Sequence, residues 1–137
     1  MKPIKRTHLF AILMVIFTCS GIFNLVSLHH FEPTMSPDSA ATIRKEIFQV
    51  HSVLLAGLIG GLFAKPSKPQ QQVKFAFAAT MIGCCALWAI YMGAAWLGYP
   101  NEIGANGLNG LIDQFNDRAT EFSSLVAAAL AYLSNKA

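Results

Sequence analysis

From Leu9 to Leu28 the chain runs for 20 residues without a charged side chain. At 1.5 Å per residue such a run makes a helix as long as the roughly 30 Å hydrocarbon core of a bilayer. The surface helix of a soluble protein instead keeps a polar face that recurs every three or four residues. Met1-Lys2-Pro3-Ile4-Lys5-Arg6 precedes the run, and a charged lead also opens a secretory signal. The apolar core of a signal is shorter, about 7–15 residues, so residues 9–28 read as a spanning helix. Composition agrees. Of the 137 residues 54% are hydrophobic and 12% charged, against about 25% charged in a soluble domain. The length allows one domain, residues 1–137.

Three more segments read the same way, giving an all-α integral membrane four-helix bundle with spans at about 9–28, 43–64, 75–97 and 115–134. Ser36-Pro37-Asp38 is a helix start. Serine caps, proline suits the first helical position, and an acid faces the positive end of the dipole. The helix it opens should run to about Ala64, with its polar first turns outside the apolar layer. Residues 29–36 read as a loop between the first two helices, and Lys65-Pro66-Ser67-Lys68-Pro69-Gln70-Gln71-Gln72 as a second short loop. Gly98, Pro100, Gly104, Gly107 and Gly110 mark a longer loop over 98–112, and the fourth helix is expected to begin near Leu111 or Asp113. Tyr91, Trp96 and Tyr99 suit an interfacial aromatic belt.

Charge orients the spans. Four alternating spans put Lys2, Lys5, Arg6, Lys65, Lys68, Lys74 and Lys136 on one side, with no acid. Arg44, Lys45 and Arg118 fall on the other, with all seven acids. Seven basic residues against three place both termini in the cytoplasm by the positive-inside rule. The expected location is therefore the bacterial inner membrane. The basic residues form no patch interleaved with aromatics, so no nucleic-acid partner is expected. Cys19, Cys84 and Cys85 lie in apolar runs without a CxxC spacing and read as small packing residues.

Polar groups at membrane depth are the candidates for function. Counting along each span puts Asn24, His51, Trp88, Tyr91 and Glu121 at one depth below the outer surface, with Arg44 and Arg118 a turn or two above. Arg44, Phe48, His51 and Leu55 are spaced to share one helix face, as are Asp117, Glu121 and Ser124. Two readings fit. In one the set is a buried polar plug, in which Arg44 or Arg118 neutralises Glu121 and His51 bonds a tyrosine or a backbone carbonyl. In the other the set lines an outward pocket, apolar below and polar at the mouth, for a lipid-like ligand. Only one histidine lies deep, which excludes bis-histidine haem, and no cofactor or resident metal is expected. His29, His30 and Glu32 could bind a metal at the outer surface.

Two resemblances bear on this. The stretch Ser36-Pro37-Asp38-Ser39-Ala40-Ala41-Thr42-Ile43-Arg44, the run Ala56-Gly57-Leu58-Ile59-Gly60-Gly61 and Arg118-Ala119-Thr120-Glu121-Phe122 resemble the small four-helix bacterial membrane proteins of the DoxX-like group and a related family of unknown function. That resemblance implies a four-helix bundle and no set activity. In length and span count the chain is also similar to the membrane-associated glutathione and eicosanoid transferases. Their second helix holds the thiol cofactor with arginines, an asparagine and a glutamate, where this chain has Arg44, Lys45, Glu46 and His51 and lacks the asparagine. The expectation is a non-enzymatic membrane protein, either an accessory subunit of a larger membrane complex or homo-oligomer, or a binder of a lipophilic small molecule. The transferase and the metal site are the alternatives.

Overall fold

The computed structural model describes residues 2–63, 72–99 and 107–135, apart from some side chains in the last helix and that of Leu62. Four helices dominate these residues: α1 (Arg6–Phe31), α2 (Pro37–Phe63), α3 (Phe75–Gly98) and α4 (Gly107–Asn135). The chain is all-α in class. Two two-residue strands are the exception: β1 (Ile4–Lys5) pairs antiparallel with β2 (Gln72–Val73), Ile4 opposite Val73 and Lys5 opposite Gln72. This clip ties the start of α1 to the start of α3.

Each boundary has a local cause. A short 3-10 turn, Glu32–Thr34, turns the chain from α1 into α2, with Pro33 inside it. Ser36 Oγ accepts the Ser39 backbone N–H at 3.3 Å, so α2 starts on the serine cap that the sequence implies. The expected loop over 29–36 is shorter than that, because α1 continues to Phe31. The expected loop over 98–112 ends early too, since α4 already begins at Gly107. A helical glycine costs only about 1 kcal/mol, and Leu111 and Phe115 on the same helix are buried. Their packing outweighs the weak local preference. Residues 64–71 and 100–106 lie outside the described residues, and with them most of the expected Lys65–Gln72 loop.

The helices form a ring in which α1 packs on α2 and α3, and α4 packs on α2 and α3. The principal contacts thus leave α1 diagonal to α4, and α2 diagonal to α3. The buried faces follow the helical repeat. Phe17, Ser20, Asn24 and Leu28 line α1, while Ile43, Ile47, His51, Leu54 and Leu58 line α2. Met81, Cys85, Trp88, Met92 and Trp96 line α3, and Leu111, Phe115 and Ala119 line α4. The α2 face is a correction. Arg44 and Phe48 are exposed, at and beyond the edge of the inward stripe that holds His51.

Outside this core, Val15, Phe23, Val26, Val53, Leu87, Ile90 and Leu97 are each more than half exposed. Among the described residues, the segments Arg6–Thr34 and Phe75–Gly98 are long and apolar enough to cross a membrane. The first three turns of α2 carry Asp38, Arg44, Lys45 and Glu46, and the first half of α4 carries Asp113, Asp117, Arg118 and Glu121, which shorten their apolar portions. The two ends of the bundle differ in charge. Lys2, Lys5, Arg6 and Lys74 gather where α1 and α3 begin, and every described acid lies toward the other end.

Candidate functional site

The deep polar residues form a directed chain of hydrogen bonds across three helices. It begins on α3, where Trp96 Nε1–H donates to Asn24 Oδ1 at 2.9 Å. An indole can only donate, and that orients the amide. Asn24 Nδ2 then donates to the Ser20 carbonyl at 2.8 Å and reaches Ser20 Oγ at 3.4 Å. Ser20 Oγ lies 3.0 Å from His51 Nε2. His51 Nδ1 lies 2.8 Å from the Ile47 carbonyl. A carbonyl only accepts, so Nδ1 carries the proton, and Nε2 of the neutral ring accepts from the serine hydroxyl. Asn24, Ser20 and His51 each have both a donor and an acceptor role that their neighbours satisfy, and Trp96 donates at the head of the chain. Asn24 is fully buried, and Ser20 and His51 are 7% and 5% exposed.

A serine hydroxyl donating to an imidazole whose other nitrogen is held by a carbonyl is the bonding of a nucleophile and its base. Its surroundings oppose that use. Trp88 packs on His51 with ring centroids 5.5 Å apart, and Phe17 meets Trp88 edge-on at 5.4 Å. The helix N–H groups around the serine are committed to the helix. The arrangement locks α1, α2 and α3 in register.

The seven candidate residues divide. Asn24, His51 and Trp88 meet in this core. Tyr91 and Arg118 form a pair of their own on α3 and α4: the guanidinium donates to the Tyr91 carbonyl at 2.7 Å and lies 4.2 Å from the ring centroid, a cation–π contact. Arg44 donates from Nη2 to Glu32 Oε1 at 2.8 Å. Glu121 is exposed and makes no ion pair among the described residues. The expected neutralisation of Glu121 by Arg44 or Arg118 is thereby corrected. Arg44 turns toward α1, which is diagonal to α4, and Arg118 turns toward α3. A double-mutant cycle on detergent-solubilised protein should show Arg44 coupled to Glu32 by about 0.2–1 kcal/mol, the range for a half-exposed pair. Arg44 and Glu121 should be additive. Coupling of Arg44 to Glu121 above that to Glu32 would refute this geometry.

The belt reading changes as well. Trp96 and Tyr99 are each 3% exposed. They sit in an aromatic cluster in which Phe31 stacks on Trp96 at 5.9 Å and Trp96 meets Phe115 at 5.4 Å. Tyr99 Oη lies 3.0 Å from Thr34 Oγ1. These aromatics close the acidic end of the bundle. Ser20 and Trp96 are the members of the polar chain that sequence reasoning missed. The signal for Ser20 was its place one turn before Asn24 on the same face.

Beside this closed core lies an open groove. Leu25, Leu28 and His29 of α1, Glu32 of the turn, and Arg44 and Phe48 of α2 enclose about 300 Å3. The leucines and Phe48 make its apolar wall, and the Arg44–Glu32 pair makes its rim. His29 Nδ1 is 3.6 Å from Glu32 Oε2, while the His30 ring turns to Phe31, 5.0 Å between centroids. The two histidines and Glu32 therefore do not converge, and no group of three metal-ligating side chains does so among the described residues. A second groove between α2 and α4, about 290 Å3, is lined by Gln49, Val50, Val53, Leu54, Ser124 and Ala127 and has no charged group. Compared with known proteins, the chain matches no family model, no curated protein and no solved structure.

Proposed function

We propose that this chain is a four-span inner-membrane bundle that binds an amphipathic, lipid-like molecule in the groove between α1 and α2, without catalysing its conversion. The groove is the observation that carries the reading. It has an apolar wall and a charged rim at one end of the bundle, and about 300 Å3 is the lower end of the range for small-molecule sites. The Arg44–Glu32 pair offers one charge of each sign to a polar head, and Leu25, Leu28 and Phe48 offer contact to a tail. Binding is favoured over chemistry because the buried serine and histidine spend their hydrogen-bonding capacity on each other and on backbone.

The membrane part rests on the apolar exterior, the two helices of spanning length and the segregation of charge between the ends. In this reading α2 and α4 span as well, with the charged first three turns of α2 and first half of α4 toward the outer interface, and both termini lie in the cytoplasm. The resemblance to the DoxX-like group agrees with the architecture and adds no activity. Reporter fusions at Ser67 and Ala137 should give a cytoplasmic signal and a fusion at Gly104 an external one. An external signal at Ala137 would remove the fourth span.

The ligand is tested by native mass spectrometry of protein released from mild detergent. The expected result is a retained amphipathic molecule of defined mass, lost from Phe48→Ala and weakened in Arg44→Ala, and unaffected by Val53→Ala in the other groove. Protein that carries nothing, yet co-purifies with a larger membrane complex, would make it an accessory subunit. Retained glutathione would turn the reading to a transferase.

A further inference from the structure

We propose that the basic end of the bundle, where α1 and α3 begin together, is a binding site for the phosphoryl headgroup of an acidic phospholipid. This goes beyond the groove and rests on the membrane reading, which puts that end at the cytoplasmic leaflet.

Two helix N-termini meet there without caps. Lys5 precedes α1 and Lys74 precedes α3, neither helix start has a side-chain cap, and neither first turn holds an acid. Each start leaves backbone N–H groups without helical partners and a partial positive charge. The clip between β1 and β2 holds the two starts side by side. Strand alternation sends Ile4 and Val73 inward, where both are half-buried, and leaves Lys5, Gln72 and Lys74 on the exposed face.

Arg6 is the independent observation. Its side chain is only 7% exposed. Nη2 donates to the Gly61 carbonyl near the end of α2 at 2.8 Å, and Cζ lies 5.3 Å from the Phe10 ring centroid. Nε is buried and has no hydrogen-bond partner. No described carboxylate lies at this end of the bundle. A guanidinium buried with one carbonyl and no anion is costly, and an orphaned buried donor calls for a missing acceptor. A phosphoryl group supplies what is lacking: negative charge, acceptors matched to the guanidinium fork, and a fit to free helix N–H groups. Exposed apolar side chains lie toward the same end of the bundle, Ile12 two turns along α1 and Ile59 and Phe63 in the last turns of α2, which Arg6 ties to the start of α1; Phe63 is 77% exposed. They give acyl chains a surface and favour a lipid over free phosphate.

The test uses the full chain reconstituted in nanodiscs or carried in detergent. Its probes are phosphatidylglycerol, phosphatidylcholine and inorganic phosphate, read by native mass spectrometry. Phosphatidylglycerol adducts should predominate over phosphatidylcholine. They should fall about fivefold for each of Lys5→Gln and Lys74→Gln, the factor expected for one surface cation. Both lysines are exposed, so these variants should keep the fold if Arg6→Gln does not. Lys45→Gln at the opposite end should change nothing, which separates a site from net charge. Equal retention of the two lipids, or adducts indifferent to both lysine variants, would overturn the proposal. Displacement by millimolar inorganic phosphate would overturn the lipid assignment. A chain that inserts into both kinds of bilayer without preference loses only this site, whereas one that inserts into neither loses the membrane reading.

Discussion

Replacing Trp88 by alanine should be the most destabilising single change in this protein, at about 3–5 kcal/mol. Trp88 is fully buried and is the largest such side chain among the described residues. It fills the centre of the bundle between Phe17 of α1 and His51 of α2. Alanine leaves a cavity lined by rigid helices that cannot collapse into it. Trp88→Phe is the informative companion. It keeps most of the volume and removes Nε1–H, a buried donor without a hydrogen-bond partner, so its cost should be well below that of alanine. Thermal and denaturant unfolding in detergent would measure both. A loss under about 1 kcal/mol for Trp88→Ala would mean that the core is not packed around this ring.

The second large effect is expected at Asn24. Asn24→Leu keeps a similar volume but strands the Trp96 indole N–H and removes a donor to Ser20. A buried group left without its partner costs about 1–3 kcal/mol, and two contacts are broken, so about 2 kcal/mol is expected. Hydrogen bonds between membrane helices average about 0.6 kcal/mol in double-mutant cycles, because the unfolded chain in lipid finds other partners. The two figures measure different things, and the cycle separates them. Trp96→Phe alone leaves the Asn24 carbonyl unpaired; combined with Asn24→Leu it leaves nothing unpaired along that contact. The double variant should therefore be more stable than the sum of the single losses implies. Strict additivity would show that the 2.9 Å contact contributes nothing to stability.

Much of the fold was legible because its determinants are local. The uncharged run of Leu9–Leu28 requires one long helix whatever it packs on, and α1 contains it. Ser36-Pro37-Asp38 combines cap, fixed backbone angle and charge in three residues, and α2 begins there. The pairing of β1 with β2 was not legible, since two residues on each side carry no periodicity and the contact joins positions 67 and 69 apart. The start of α4 was misjudged because its glycines weigh against helix locally while burial of Leu111 and Phe115 decides for it.

The candidate site was legible in kind but not in partnership. Polar residues inside apolar runs had to find partners, and Asn24 and His51 do so. Which partners they find depends on how far each helix is rotated about its axis and on which helices are neighbours. Arg44 and His51, seven residues apart, differ by only about 20° around the helix, yet His51 faces the core while Arg44, at the edge of that stripe, reaches Glu32 beside the groove. Trp96 likewise leaves the expected belt for the core. By itself the sequence determined the helices, their approximate ends, the apolar exterior and the segregation of charge, all consequences of chain composition over short windows. Only the tertiary structure decided the ring order of the helices, the chain from Trp96 through Asn24 and Ser20 to His51, and the meeting of two uncapped helix starts beside Arg6. Those depend on which surfaces face each other across the bundle, and periodicity along one helix carries no information about its neighbour.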